Sequence, residues 1–159
     1  MMVSMSVNRF LLERDDEDLL ADFANLGHAG PDQLDDLEPL RSLRDSVRAL
    51  ALANNGVPAA VDDDALAAFP LRLILGAAPQ LHPTEDTSVA AAVAAVVASA
   101  LVRASARPTW PRFKACPGPD CAWVFRDETR NGSRRWCLMS ECGNRAKGAA
   151  FRARAAARA

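Results

Sequence analysis

The sequence predicts an α+β fold, mostly α: a helical N-terminal domain with one small β-hairpin over residues 1–111, then a compact module of β-hairpin plus helix over 112–159. Three observations predict it. Apolar residues recur every three or four positions in three segments before residue 107, which is helical spacing. Half the residues are apolar, yet only 6% are aromatic and none is Tyr; a core of Ala, Val and Leu suits closely packed helices. All four cysteines fall between Cys116 and Cys142, so the end of the chain is organised differently from its beginning. A length of 159 residues fits one core domain with an appended module.

Residues 7–12 read either as a strand or as the lead-in to a helix. Asp16 to Ala24 reads as the first helix, with acidic residues in its first turn and Leu19, Leu20 and Phe23 at helical spacing. Gly27, Gly30 and Pro31 end it. A second helix runs from Pro39 to about Ala53 on Leu40, Leu43, Val47 and Leu50, and Asn54-Asn55-Gly56 closes it. Arg41, Arg44 and Arg48 read as its solvated stripe. Asp62 to Asp64 cap a short helix that ends near Phe69, before Pro70. A hairpin is predicted from Leu71–Leu75 and Gln80–His82 around a turn at 76–79. A long helix, capped by Thr87 or Ser88, follows to about Ala106 with a stripe of Val89, Val93, Val96, Val97, Ala100 and Leu101. Prolines around Trp110 make residues 107–111 a stiff connection.

The net charge of −1 hides a division: residues 1–111 hold 16 acidic against 8 basic side chains, and 112–159 hold 4 against 11, about −8 and +7. That asymmetry predicts an acidic partner for the second part, either nucleic acid or the acidic part of this or another copy of the chain. The acidic run from Glu13 to Asp18 leaves no room for an export signal, and the longest apolar run, residues 89–102, is too short to span a bilayer. The expectation is a soluble cytoplasmic protein without membrane contact.

Cys116, Cys121, Cys137 and Cys142 form two pairs, with four residues inside each and fifteen between. Such spacing suits one tetrahedral zinc ion, because each pair supplies two thiolates and the gap holds a hairpin. Two disulfides, or four unrelated buried thiols, are the weaker alternatives in a reducing compartment. Ala122 to Phe125 is predicted as the first strand, 130–133 as an Asn-Gly turn, Arg134 to Cys137 as the returning strand, and Ser140 as the cap of a last helix with Cys142 in its first turn. A knuckle, a hairpin and a last ligand at a helix start resemble treble-clef zinc modules. Four thiolates fill the tetrahedron, so the zinc is expected to be structural and the module to unfold without it.

The run Trp136-Cys137-Leu138-Met139-Ser140-Glu141-Cys142-Gly143-Asn144-Arg145-Ala146-Lys147, with Ala122-Trp123-Val124-Phe125 and Ser133-Arg134-Arg135 before it, resembles the CGNR zinc finger. In that family the finger usually follows an ABATE domain. Asp22-Phe23-Ala24-Asn25 is similar to the early motif of that domain, and the hairpin and long helix before the finger are similar to its layout. The resemblance implies a stress-induced transcriptional regulator.

Arg126, Arg130, Arg134 and Arg135 lie on or near the predicted finger hairpin, and Arg145, Lys147, Arg152 and Arg154 on its helix. This density suits phosphate contact. Lys147, Arg154 and Arg158 share one side of the helix while Arg145 and Arg152 lie roughly opposite, so phosphate contact is expected ahead of base readout. The plainer alternatives are a solvated basic helix, and an Arg145 paired with Asp120, Asp127 or Glu128. His28 and His82 are isolated loop histidines, and no nucleophile–base pair is visible, so no enzyme is expected. The expected partner is nucleic acid, DNA first; a small molecule or a protein on the N-terminal domain and a second copy of the chain are further candidates. The competing readings are a protein- or RNA-interaction module with a purely structural zinc, and a thiol redox switch.

Overall fold

The computed structural model describes residues 15–28, 38–77, 79–84 and 88–158. Along them run α1 (Asp16–Ala24), α2 (Glu38–Asn54), β1 (Leu71–Ile74), β2 (Gln80–Pro83), α3 (Val89–Ser105), a 3₁₀ turn (Trp110–Arg112), β3 (Phe113–Ala115), β4 (Val124–Arg126), one π turn (Met139–Gly143) and α4 (Asn144–Ala156). β1–β2 and β3–β4 are two separate antiparallel hairpins. The mostly helical α+β class is therefore observed. The readings made for residues 7–12, Gly30, Pro31 and Thr87 lie outside the described residues.

Each helix forms for a local reason. The Asp15 side chain caps α1 by accepting from Glu17 N at 2.9 Å, and three acidic residues follow in the first turn, where the helix dipole favours them. Ser88 caps α3 in the same way through Ala91 N at 3.1 Å. Leu40, Leu43, Val47 and Ala51 give α2 its buried stripe, packed on Leu19, Leu20, Phe23 and Ala24 of α1. On α3 the predicted row holds except at Val89, which is exposed: Val97 and Ala100 are buried, with Val93, Val96 and Leu101 half-buried against the core. Ala91, Ala94 and Ala104 extend the buried stripe, and their methyl side chains let α1 approach the α3 backbone closely.

Two further expectations change. Residues 63–68 make consecutive turns instead of a helix, closed by Ala65 N to Asp62 O, Ala67 N to Asp64 O and Phe69 N to Leu66 O, and Pro70 stops propagation. The arginine stripe of α2 is not merely solvated: Arg44 is buried, and Arg48 donates to Leu26 O at 3.0 Å and to Ala24 O. Arg48 thus satisfies carbonyls left open at the end of α1.

The hairpin β3–β4 joins the two parts of the chain. Its register pairs Phe113 with Arg126, Lys114 with Phe125 and Ala115 with Val124. Because side chains alternate between faces, Phe113, Ala115 and Val124 enter the helical core and Phe125 packs with Cys116 and Cys142 on the other side. The core therefore continues past residue 111. Three asparagines at helix ends latch this hairpin. Asn25 donates to Val124 O at 2.9 Å and accepts from Val124 N at 2.8 Å. Asn54 donates to Trp110 O and Phe113 O, both at 2.9 Å, and Asn55 to Ala115 O and Arg135 O, both at 2.8 Å. His28 meets Trp123 edge-on, with centroids 5.1 Å apart.

Asn25→Ala leaves a buried N–H and C=O of Val124 unpaired, so the unfolding free energy is expected to fall by about 1–3 kcal/mol. Asn25→Asp, which lacks the donor, is expected to lose a similar amount. Urea unfolding of the three proteins measures this; identical midpoints would show that the latch contributes nothing.

Candidate metal centre

The first cysteine pair sits on a sharp loop between β3 and β4. Cys116 N donates to Trp123 O at 2.9 Å and Cys121 N to Gly118 O at 3.1 Å, and the chain turns through left-handed backbone at Asp120 (φ 62°) and Ala122 (φ 51°). Left-handed backbone costs a non-glycine residue roughly 1–2 kcal/mol, so two such residues beside Cys121 mark a loop held by its surroundings. A Cβ on Gly118 would lie 3.2 Å from Cys142 Sγ and 3.3 Å from Cys121 Cβ. The bare glycine backbone is thus part of the cradle for the sulfurs.

The second pair is set by the π turn, whose wide loop is closed by Gly143 N donating to Leu138 O at 3.2 Å. Ser140 is not the predicted N-cap: Leu138 holds that position without a side-chain bond, and Ser140 O accepts from Asn144 Nδ2 at 3.1 Å. A Cβ on Gly143 would stand 2.3 Å from Met139 Sδ and 3.3 Å from Trp136 Cδ1. Arg145 Nη2 donates to Cys142 Sγ at 3.0 Å. It pairs with that sulfur and not with the predicted Asp120, Asp127 or Glu128. The Gly-Asn-Arg that follows Cys142 therefore has three local tasks: close approach, closure of the π turn, and a charge on the sulfur.

All four Sγ atoms lie within 4.8 Å of one another, with Cys121–Cys137 at 3.5 Å and Cys137–Cys142 at 3.6 Å. A tetrahedron with Zn–S bonds of about 2.3 Å has edges of about 3.8 Å, so this donor set and spacing fit a zinc ion. Cys116 and Cys142 are buried, while Cys121 and Cys137 are half-buried. As free thiols they differ: burial raises the pKa of Cys121 and of Cys137, whereas the Arg145 hydrogen bond lowers that of Cys142. A bound cation would favour the thiolate at all four.

The loop between the two pairs is organised by two cations from the start of the hairpin. Arg112 donates to the carbonyls of Asp127, Thr129 and Arg130 at 3.0, 2.6 and 3.2 Å. Lys114 Nζ donates to Gly132 O at 2.6 Å, Arg134 O at 3.1 Å and Asp127 Oδ2 at 2.7 Å. This is why residues 134–137 do not form the predicted second strand, and why the finger hairpin is β3–β4: the carbonyls of the loop bind side chains instead of a ladder. Burial pushes the Asp127 carboxyl up, but hydrogen bonds from Lys114 and Thr129 and the Lys114 charge outweigh it and hold the pKa down to about 2. The resulting stabilisation is complete above the ordinary Asp value near 4 and is lost as pH falls toward 2.

The predicted basic residues separate into two groups. Arg126 faces Glu17 Oε2 at 3.2 Å. Arg134 donates to Trp136 O at 3.1 Å and to Cys137 O, with its guanidinium 4.5 Å above the Phe125 ring. Arg145 is engaged by Cys142. Arg130, Arg135, Lys147, Arg152 and Arg154 are exposed. Sequence reasoning missed the roles of Arg112, Lys114, Asn54 and Asn55; lone polar residues in a short strand or at a helix end give no periodic signal.

Residues 112–155 match the family model of the CGNR zinc finger. The match covers the module and not the helical part before it. No curated protein matches the chain. No described helix is long and apolar enough to cross a membrane.

Arg145→Ala is expected to lower zinc affinity about tenfold, within the range of outer partners of metal ligands, and so to speed alkylation of the thiols in the zinc-loaded protein; chelator competition reads the first and iodoacetamide kinetics the second. Asp127→Ala leaves the Lys114 ammonium buried without its carboxylate and is expected to cost about 3–5 kcal/mol. Lys114→Met with Asp127→Leu is expected to cost less, which a comparison of denaturation midpoints at one pH tests.

Proposed function

We propose that this chain is a zinc-dependent nucleic-acid-binding protein of the transcription-regulator class. Cys116, Cys121, Cys137 and Cys142 hold one structural zinc ion, and the exposed basic side chains contact DNA phosphates. The observation that carries this reading is how the cations of residues 112–159 are divided. Arg112, Lys114, Arg126, Arg134 and Arg145 are used inside the protein. Arg130, Arg135, Lys147, Arg152, Arg154 and Arg158 stand exposed with no ion-pair or hydrogen-bond partner for the side chain among the described residues. Six unpaired cations on one small module, without equal numbers of carboxylates, attract a polyanion and release its counterions.

Zinc would supply folding energy, on the order of 10 kcal/mol for a structural site. Four thiolates leave it no open position for a substrate, so the role proposed is binding and not catalysis. Arg145 and the Gly118 backbone orient the thiolates, and the Lys114–Asp127 pair fixes the loop that carries Arg130 and Arg135. The N-terminal helices are proposed as an ABATE-like regulatory part acting in the cytoplasm in response to stress. Support comes from Asn25, the last residue of the Asp22–Asn25 motif, which holds Val124 of the finger directly. A ligand that shifts α1 would thus move β4 without an intermediary.

A second reading, a protein-contacting module, is favoured by α4, which has no buried residue and leaves Phe151 68% exposed. Titration of random-sequence duplex DNA at several salt concentrations separates the two. Replacing Arg130, Arg135 or Lys147 by Ala is expected to weaken DNA binding and to lower the salt slope by about 0.9 each, with zinc content unchanged. Arg126→Ala and Arg134→Ala are expected to lower stability instead. Absence of DNA binding at low salt would leave the protein-contact reading.

A further inference from the structure

We propose that the finger holds a nucleobase in a groove beside the metal centre and therefore prefers unpaired DNA to duplex; the proposal rests on the nucleic-acid reading above. The groove has a volume of about 530 Å³ and is lined by Ser133, Arg134, Arg135, Trp136, Leu138 and Met139 among others. It is an open groove and not an enclosed cavity, so a ring laid in it keeps one side toward water. Its apolar part is open to water: Leu138 is 51% and Met139 48% exposed, and both lie between the ligands Cys137 and Cys142.

The backbone under the floor and the arginine at its border are held in place. Leu138 O closes the π turn through Gly143 N, and Trp136 packs on the cluster of Cys116, Phe125 and Cys142. Arg134 is fixed by the carbonyls of Trp136 and Cys137 and stacked on Phe125, so little side-chain freedom remains to be lost when a ligand arrives. Arg135 next to it is exposed and its side chain has no partner among the described residues. An apolar floor bordered by arginines offers a face for a planar ring and charge for its phosphates.

Duplex DNA keeps its base faces stacked and cannot use that floor, whereas an unpaired base can be laid on it. An acidic peptide would match the arginines of the groove. It would not account for the further unpaired cations on α4, Lys147, Arg152 and Arg154, which suit a longer polyanion.

The zinc-loaded full chain is titrated by fluorescence anisotropy with a single strand of about 12 nucleotides, its duplex, an abasic strand of equal length, and an oligoglutamate peptide. The single strand is expected to bind roughly tenfold tighter than the abasic strand and the duplex. Leu138→Ala with Met139→Ala is expected to remove that preference while zinc content and duplex affinity stay constant. If this variant loses zinc, Leu138→Ser alone carries the comparison. Equal affinity for the abasic and base-containing strands, tighter duplex binding, or equal losses on all ligands in a zinc-loaded variant would overturn the groove and leave phosphate binding standing. Binding of no nucleic acid at low salt would overturn both, and binding of oligoglutamate alone would assign the groove to a protein partner.

Discussion

β3 and β4 have three residues each and all but Arg126 are buried, from both faces of the hairpin, a constraint on which the rest of the structure depends. Phe113, Ala115 and Val124 belong to the helical core, and Phe125 belongs to the cluster around the sulfurs. An isolated hairpin this short would not persist in water. It persists here because helix ends supply side-chain amides to its backbone and the cysteine loop closes its far end. The consequence is mechanical: whatever positions α1 and α2 also positions Cys116, which follows Ala115 directly.

Charge follows the same logic. The chain is divided into an acidic and a basic part, and among the described ion pairs one joins them: the buried Glu17, which accepts from Thr109 Oγ1 at 2.7 Å, faces Arg126 of the basic part. Asp16 is met within the acidic part itself, by Arg103 and Arg107 at 2.6 and 2.7 Å. Such pairs cost desolvation, and the buried Glu17 Oε2, which accepts no hydrogen bond among the described residues, has its charge met by Arg126. The cations left over once Arg112, Lys114, Arg126, Arg134 and Arg145 are engaged make up the outward-facing charge of the finger, so its surface is defined by subtraction from within the fold.

The metal centre shows how a short motif is written by local geometry. Four sulfurs within 4.8 Å of one another would, as thiolates, concentrate negative charge in a partly buried place, and a guanidinium 3.0 Å from Cys142 Sγ offsets some of it. Gly118 and Gly143 matter for the space they leave, since a methyl at either would press on the sulfurs or on Met139 and Trp136. These are packing requirements of the site itself and hold whatever the finger touches.

By itself the sequence determined α1 to α4, though not the turns at 63–68, together with the β1–β2 hairpin and the gathering of four cysteines, because each depends on spacing or capping within a short stretch of chain. It did not determine which strand pairs with β4, since that choice rests on Arg112 and Lys114 collecting carbonyls from residues 127–134, bonds that no pattern along the chain announces. Nor did it separate Arg134 from Arg135: adjacent and chemically identical, one lies stacked on Phe125 with its donors used, the other stands in water. Periodicity reports the faces of an element. Only the tertiary structure decided which neighbours take up the hydrogen bonds and charges on those faces, because those partners lie up to 99 residues away along the chain.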